Sequence, residues 1–154
     1  MNKTFKKWLG LGLAAFTLIM LCSVSSWARE GNSEYKQDVK VTQLLKSVTT
    51  TIGQPIEFSK IKKPEVTALK VEIPPGKETG WHKHPYPVYG YVLRGTLTLE
   101  IEGNKQFKFE PGSALLEVIN TLHNAKNLGK ETVTIIAFFT TEAGQPYTVR
   151  VNKE

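Results

Sequence analysis

The side chains most capable of chemistry in this 154-residue chain are its three histidines, His82, His84 and His123. Because side chains alternate along a β-strand, residues 82 and 84 would project from one face, about 7 Å apart. Two neutral imidazoles at that spacing can bind one metal ion from the same side. His123 lies far along the chain and must come from another strand. Three imidazoles would leave coordination positions open for water or a substrate.

A His-x-His pair alone is a weak indication, because histidines on surfaces and in loops also fall at this spacing. The residues around the three histidines strengthen it. Two stretches resemble the cupin motifs Gly-x5-His-x-His-x3/4-Glu-x6-Gly and Gly-x5-Pro-x-Gly-x2-His-x3-Asn. The matching residues are Gly76, His82, His84 and Gly95 in the first motif and Gly112, His123 and Asn127 in the second.

The resemblance implies an all-β fold, a small β-barrel of the cupin type, which is a double-stranded β-helix or jelly roll. It also implies that His82, His84 and His123 are the ligands of one divalent metal ion. The ligands leave Zn, Cu, Ni, Mn and Fe open, although metal loading outside the cytoplasm would favour copper and zinc by intrinsic affinity. A small-molecule ligand or substrate and a homodimer are further expectations from the resemblance.

The sequence departs from the first motif at the glutamate ligand. Val88 falls on that position and Tyr89 follows it, so neither offers a carboxylate. Some cupin dioxygenases use three histidines without a carboxylate, and a site of that kind would be more positive and would favour an anionic ligand. Glu78 or Glu117 could substitute, but we expect each to face solvent. In the second motif Asn120 replaces a glycine, and asparagine tolerates the left-handed turn conformation.

Aromatic residues surround the histidine pair and suggest a pocket. Their alternative role is ordinary packing, since aromatic residues favour strands and fill barrel cores. The candidate pocket residues are Trp81, Tyr86, Val88, Tyr89, Tyr91 and Asn127.

The elements that position these residues are short strands separated by glycine or proline. Residues 67–73 alternate apolar with polar and end at Pro74, which predicts a strand. The other predicted strands are 89–94, 96–102, 105–109, 114–118, 132–140 and 147–151. Strands at this density predict an all-β sandwich or barrel. Residues 41–52 have helical spacing but are rich in Val and Thr, so a short helix and a strand both stay open.

The N-terminus has the pattern of a secretory signal peptide. Basic residues at the start precede a short apolar run and the small residues Ser26 and Ala28. A membrane anchor is the alternative, but the run is short for a span of about 20 residues. We therefore expect a signal peptide at 1–28 and a periplasmic or secreted chain with no membrane contact after cleavage. Residues 29–154 would be one cupin domain, with its core at about 60–150 and an N-terminal arm at 29–59. Residues 39–52 are the segment that we expect one chain to pair with its partner in a dimer.

Composition excludes several classes of protein. The net charge is +6, from 20 Lys and Arg against 14 Asp and Glu, and half of this excess falls in the predicted signal peptide. The remaining charges alternate in sign, which argues against nucleic-acid binding. No phosphate-binding loop or serine-hydrolase motif is present. The sequence predicts a metal-dependent enzyme of the oxygenase or isomerase type acting on a small organic molecule. A non-catalytic module for a metal or small ligand, and a metal-free structural barrel, are the alternatives.

Overall fold

The computed structural model describes residues 39–151, which contain nine β-strands and no helix. The strands are β1 (Pro64–Ile73), β2 (His82–Lys83), β3 (Val88–Arg94), β4 (Leu97–Ile101), β5 (Lys105–Phe109), β6 (Ala114–Leu116), β7 (His123–Lys126), β8 (Val133–Glu142) and β9 (Val149–Arg150). No helix long and apolar enough to span a membrane occurs in this range. The predicted signal peptide, 1–28, lies outside the described residues.

The strands form two antiparallel sheets. One has the strand order β1-β8-β3-β6 and the other β5-β4-β7-β2-β9. The chain crosses repeatedly between the sheets, so strands that are distant in sequence become neighbours. This arrangement confirms the predicted all-β class and brings β2 beside β7.

The core lies between the two sheets, where alternate side chains of each strand point inward. Its fully buried members come from both sheets and include Val92 of β3, Leu99 of β4 and Val133 of β8. Phe107 and Phe109 of β5 pack against this cluster. The packed core fixes the strand register, and the register decides which polar side chains also point inward.

Six of the predicted strands appear close to their predicted positions, and residues 147–151 form the shorter β9. The apolar pattern did not predict β2 and β7 as strands, because they are short and rich in polar residues. Both carry histidines. They are held by pairing with each other and with β4 and β9.

Residues 41–52 form neither of the structures that their sequence left open, a helix or a full strand. Thr49 makes an isolated bridge to Pro55. The backbone N–H of Thr51 donates to the carbonyl of Leu116 at 3.0 Å, and the side chain of Gln54 donates to the carbonyl of Ile119 at 2.8 Å. These bonds hold residues 49–54 against their own sheet.

Candidate metal centre

The three histidines meet in one cluster at the inner face of the second sheet. His82 of β2 lies directly opposite His123 of β7, and His84 follows the end of β2 and forms a bridge with Ile119. One ring nitrogen from each lies within 4.8 Å of the other two. All three side chains are buried. The prediction that spacing brings these residues together is therefore confirmed by the geometry.

Each imidazole is fixed by a hydrogen bond from Nδ1 to a backbone carbonyl. The acceptors are Gly80 for His82 at 2.7 Å, Tyr147 for His84 at 2.8 Å and Thr121 for His123 at 2.9 Å. A carbonyl can only accept, so each Nδ1 carries a proton, which leaves Nε2 as the nitrogen of each ring that could bind an ion. This is the arrangement typical of histidines that bind metals through Nε2.

Glu117 lies inside this cluster, and the expectation that it faces solvent is wrong. Its Oε2 is 3.0 Å from Nε2 of His84 and 3.7 Å from Nε2 of His123, and its side chain is only 14% exposed. Glu78, in contrast, is half exposed and pairs with Lys126 at 3.6 Å. The carboxylate beside the histidines therefore comes from Glu117.

The strand pattern explains why Glu117 points inward. Leu115 is a buried core residue of β6, and Glu117 lies two residues later on the same face. The backbone N–H of Glu117 donates to the carbonyl of Val88 at 3.0 Å, which continues the pairing of β6 with β3. The alternation along β6 predicts this inward orientation from the sequence, whereas the usual exposure of glutamate side chains predicts the opposite.

The cluster sets the charges of its own members. Burial lowers the pKa of His82 from its usual 6.5 to about 4, and His123 and His84 add to this, against the opposing effects of the Gly80 carbonyl and Glu117. Burial alone would raise the pKa of Glu117. The neighbouring imidazoles of His123 and His84 outweigh burial and hold that pKa well below its usual range. Near pH 7 the site thus offers a neutral His82 and an ionised Glu117.

The donor set fits a divalent transition-metal ion. Three imidazoles and a carboxylate are ligands that zinc, iron, manganese and copper accept. Nε2 of His123 is fully buried and has no hydrogen-bond partner among residues 39–151. A buried nitrogen without a partner is costly, and a bound ion would satisfy it. These residues could therefore hold a metal ion.

A cavity of about 610 Å³ opens beside the histidines. Its apolar wall comes mainly from the first sheet, and its polar groups come from the histidine side. The apolar lining residues are Leu69, Val71, Ala125, Ile135, Ala137, Phe139 and Pro146, and the polar ones include Thr79, His82, His84, Glu117, Thr148 and Arg150. The volume lies in the range of small-molecule sites, about 300–1,000 Å³.

The six residues predicted to line a pocket do not line this cavity. Along β3 the buried residues are Val88, Gly90 and Val92, so Tyr89 and Tyr91 point to the other face. Val88 is buried beside Ala137 and Phe139. The aromatic side chains at the cavity are instead Phe139 and Tyr147, whose ring centroids are 4.7 Å apart. Neither Trp81 nor Tyr86 is among the lining residues.

Asn127 and Asn120 have structural roles. The buried amide of Asn127 donates to the carbonyls of Ile73 and Glu131 at 2.8 Å, which joins the ends of three strands. It does not line the cavity, so its prediction as a pocket residue is wrong. Asn120 has φ 51°, which agrees with the left-handed turn expected there.

Comparison with known proteins places these observations in a family context. The family profile described as a cupin domain matches residues 69–139. A cupin-like protein from Thermotoga maritima MSB8 is 21% identical, with 56% of this chain and 64% of that chain covered and a TM-score of 0.50. A Klebsiella pneumoniae protein with a double-stranded β-helix domain is 16% identical, with 64% of this chain and 91% of that chain covered and a TM-score of 0.50.

Oxalate decarboxylase from Lactobacillus farciminis, in complex with formate, is 21% identical, with 56% of this chain and 26% of that chain covered and a TM-score of 0.49. The chain thus spans 64% of the Thermotoga protein and 26% of the Lactobacillus protein. At these identities the likeness concerns the fold. No curated protein sequence matches.

Proposed function

Because this chain belongs to the cupin superfamily, we propose that it binds one divalent metal ion through His82, His84 and His123. Glu117 supplies a fourth ligand. The protein acts at this site as a metal-dependent enzyme, of the oxygenase or isomerase type, on a small organic molecule held in the adjoining cavity.

The hydrogen bonds on Nδ1 are the observation that carries the proposal. All three histidines direct this atom to a backbone carbonyl, so the atom left to bind a ligand is Nε2 in every case. Packing of a core does not require three buried imidazoles that each bond Nδ1 to a backbone carbonyl. A histidine with a purely structural role would pair both nitrogens with protein groups, whereas Nε2 of His123 has no hydrogen-bond partner among residues 39–151.

The residues around the ion would have different roles in such a site. A bound divalent ion supplies Lewis acidity and lowers the pKa of water attached to it. Glu117 offsets part of the positive charge, and the Gly80, Tyr147 and Thr121 carbonyls hold the imidazoles in place. The apolar wall formed by residues such as Ile135 and Phe139 keeps bulk water from the bound molecule.

A non-catalytic metal or small-ligand binding module is the second candidate. The observation in its favour is that few side chains at the cavity could act as an acid or a base. Apart from the proposed ligands, the titratable residues that line it are Tyr147 and Arg150. Beyond the proposed ligands, the cavity therefore offers few side chains for acid–base catalysis.

Metal analysis of protein purified without a histidine tag tests the site. We expect one divalent ion per chain in the wild type and loss of the ion in His123→Ala, although this residue is remote in sequence from the His-x-His pair. Lys83→Ala is the matched control, because residue 83 lies between two ligands and projects from the other face. Unchanged metal content in His123→Ala would contradict a shared site.

Oxygen uptake by the metal-loaded protein with catechol-like and diketone substrates separates the two candidate functions. Metal-dependent turnover that is lost in His123→Ala supports an enzyme. Metal binding without turnover supports the binding module.

We also propose that the chain works in the periplasm or outside the cell after cleavage behind Ala28. The support is the basic start and short apolar run of residues 1–28. Mass spectrometry of the exported protein should give Arg29 as the first residue. Intact Met1 in the membrane fraction would indicate an anchor instead.

A further inference from the structure

Arg150 stands in register with two of the candidate ligands. Across the second sheet, Ile101 of β4 lies opposite His123, His123 lies opposite His82, and His82 lies opposite Arg150 of β9. Residues directly opposite each other on antiparallel strands share a face, with Cβ atoms about 4.5–5.5 Å apart. Arg150 therefore projects from the same face as His82, and it lines the cavity.

The guanidinium of Arg150 has no carboxylate partner within ion-pair distance among residues 39–151. Arg94 shows the contrasting case, with its Nε 2.9 Å from Oε2 of Glu131 on the outer surface. Arginine offers planar donors that match a carboxylate in a two-point contact. Arg150 is also an exposed residue, but it lines the cavity, so its donors face water there and are available to a ligand.

The charge of the site also favours an anion. If the proposed ion is bound, its two positive charges meet one negative charge from Glu117 and the neutral imidazoles. The centre keeps one positive charge, and Arg150 adds a second. A cavity with this balance attracts anions, and low-dielectric walls strengthen the field.

The opposite wall of the cavity is apolar. Leu69, Val71, Ile135 and Ala137 line it and offer no charged group. A ligand that contacts both sides needs a charged end and an apolar body. The volume of about 610 Å³ accommodates a small molecule of this kind.

We propose that Arg150 recognises the carboxylate of the substrate, so that this cavity takes a small organic monocarboxylate with an apolar body. The carboxylate lies toward Arg150 and the metal side, and the body packs against the apolar wall. The inference rests on the proposed metal site for part of the positive charge. The guanidinium and the apolar wall belong to the chain itself.

Calorimetric titration of the zinc-loaded full chain tests the proposal with 3-phenylpropionate and its neutral amide. We expect the carboxylate to bind at least about tenfold more tightly than the amide, the ratio expected of one charged hydrogen-bonded contact. Arg150→Gln should remove most of that preference, and Arg150→Lys should keep part of it. Arg94→Gln, which changes an outer arginine, should leave it intact.

Three results would overturn the proposal. One is an unchanged carboxylate preference in Arg150→Gln, which would mean that the metal side alone holds the anion. The second is equal affinity for the carboxylate and the amide in the wild type. The third is tighter binding of inorganic phosphate than of the carboxylate. A separate measurement of metal content tests whether the three histidines bind a metal ion. If the wild type holds no metal, the same comparison in metal-free protein still decides the role of Arg150.

Discussion

Glu117 and Val88 face each other across adjacent antiparallel strands, with the N–H of Glu117 donating to the carbonyl of Val88 at 3.0 Å. Val88 occupies the position at which the cupin motif has its glutamate ligand. The carboxylate missing from β3 is thus present directly beside that position, at the end of β6. In the proposed metal site the carboxylate therefore comes from the end of β6 and not from β3.

Replacement of Glu117 by glutamine should weaken metal binding. The amide keeps the size of the side chain but removes the negative charge and a good ligand. Loss of a residue that hydrogen-bonds to a metal ligand typically lowers metal affinity roughly 10–100-fold, and we expect a larger fall here because a ligand itself is lost. Competition with a chelator measures the change. Glu78→Gln is the control, since that carboxylate is half exposed and pairs with Lys126.

A swap between the two strands tests the same relationship in reverse. Glu117→Val should lose metal, and the double variant Glu117→Val with Val88→Glu should recover part of the affinity. Val88 lies opposite Phe139, which lines the cavity. A carboxylate at position 88 would therefore project from the same face of the sheet as Phe139. No recovery in a folded double variant would show that the site depends on the position of Glu117 itself.

Asn127→Ala should destabilise the fold and leave the metal site intact. The substitution leaves the carbonyls of Ile73 and Glu131 without their donor, at a cost of about 2–4 kcal/mol in the free energy of unfolding. Denaturant titration measures this loss. Added metal should still raise the melting temperature of Asn127→Ala, because binding stabilises the native state. A variant that folds stably but no longer responds to metal would place Asn127 at the site after all.

The strands of the fold can be predicted from the sequence more completely than the residues that line the cavity. Alternation and turn residues reveal strands such as β5 and place two histidines on one face. They do not reveal which strands become neighbours, and that pairing decides what lines a cavity. The sequence therefore predicts Tyr89 and Tyr91 at the pocket although β3 directs them to its other face, and it predicts an exposed Glu117 although this side chain lies among the histidines.

Acidification should destabilise the metal-free protein through His82. Its pKa is about 4 in the folded protein and about 6.5 when unfolded. Between these values the unfolded chain binds a proton that the folded chain does not, so stability falls as the pH falls. The loss from His82 between about pH 7 and pH 5 is about 2 kcal/mol.

Denaturant titration at several pH values measures this effect, with His82→Gln as the comparison. The variant should lose about 2 kcal/mol less than the wild type over the same interval. Glu117 contributes in the same direction, but its loss begins only below its usual pKa of 4.5. An equal pH dependence in the two proteins would mean that His82 does not carry the effect.

The segment before Thr49 is our candidate for dimer formation. Val41, Leu44, Leu45 and Val48 are large apolar residues that are each exposed by 44% or more. Leu45 and Val48 border a cleft of about 480 Å³ that Tyr89 and Leu116 also line. Within their own chain, the carbonyl of Val48 accepts a hydrogen bond from Ile56, and Thr51 and Gln54 bond to Leu116 and Ile119. We propose that residues 41–48 of one copy pack against a second copy, which confines the exchange to a shorter segment than 39–52.

Light scattering on truncated chains tests this assignment. The chain that begins at Arg29 should be a dimer, and a chain that begins at Thr49 should be a folded monomer, because the contacts of Thr51 and Gln54 are kept. A chain that begins at Glu57 should lose stability as well, since those contacts are gone. Leu44→Ser with Val48→Ser in the full-length arm is the matched variant and should weaken the dimer without shortening the chain. If the dimer survives both the truncation at Thr49 and the double substitution, it must form through another surface. If the chain that begins at Arg29 is a monomer, these apolar residues do not pack against a second copy.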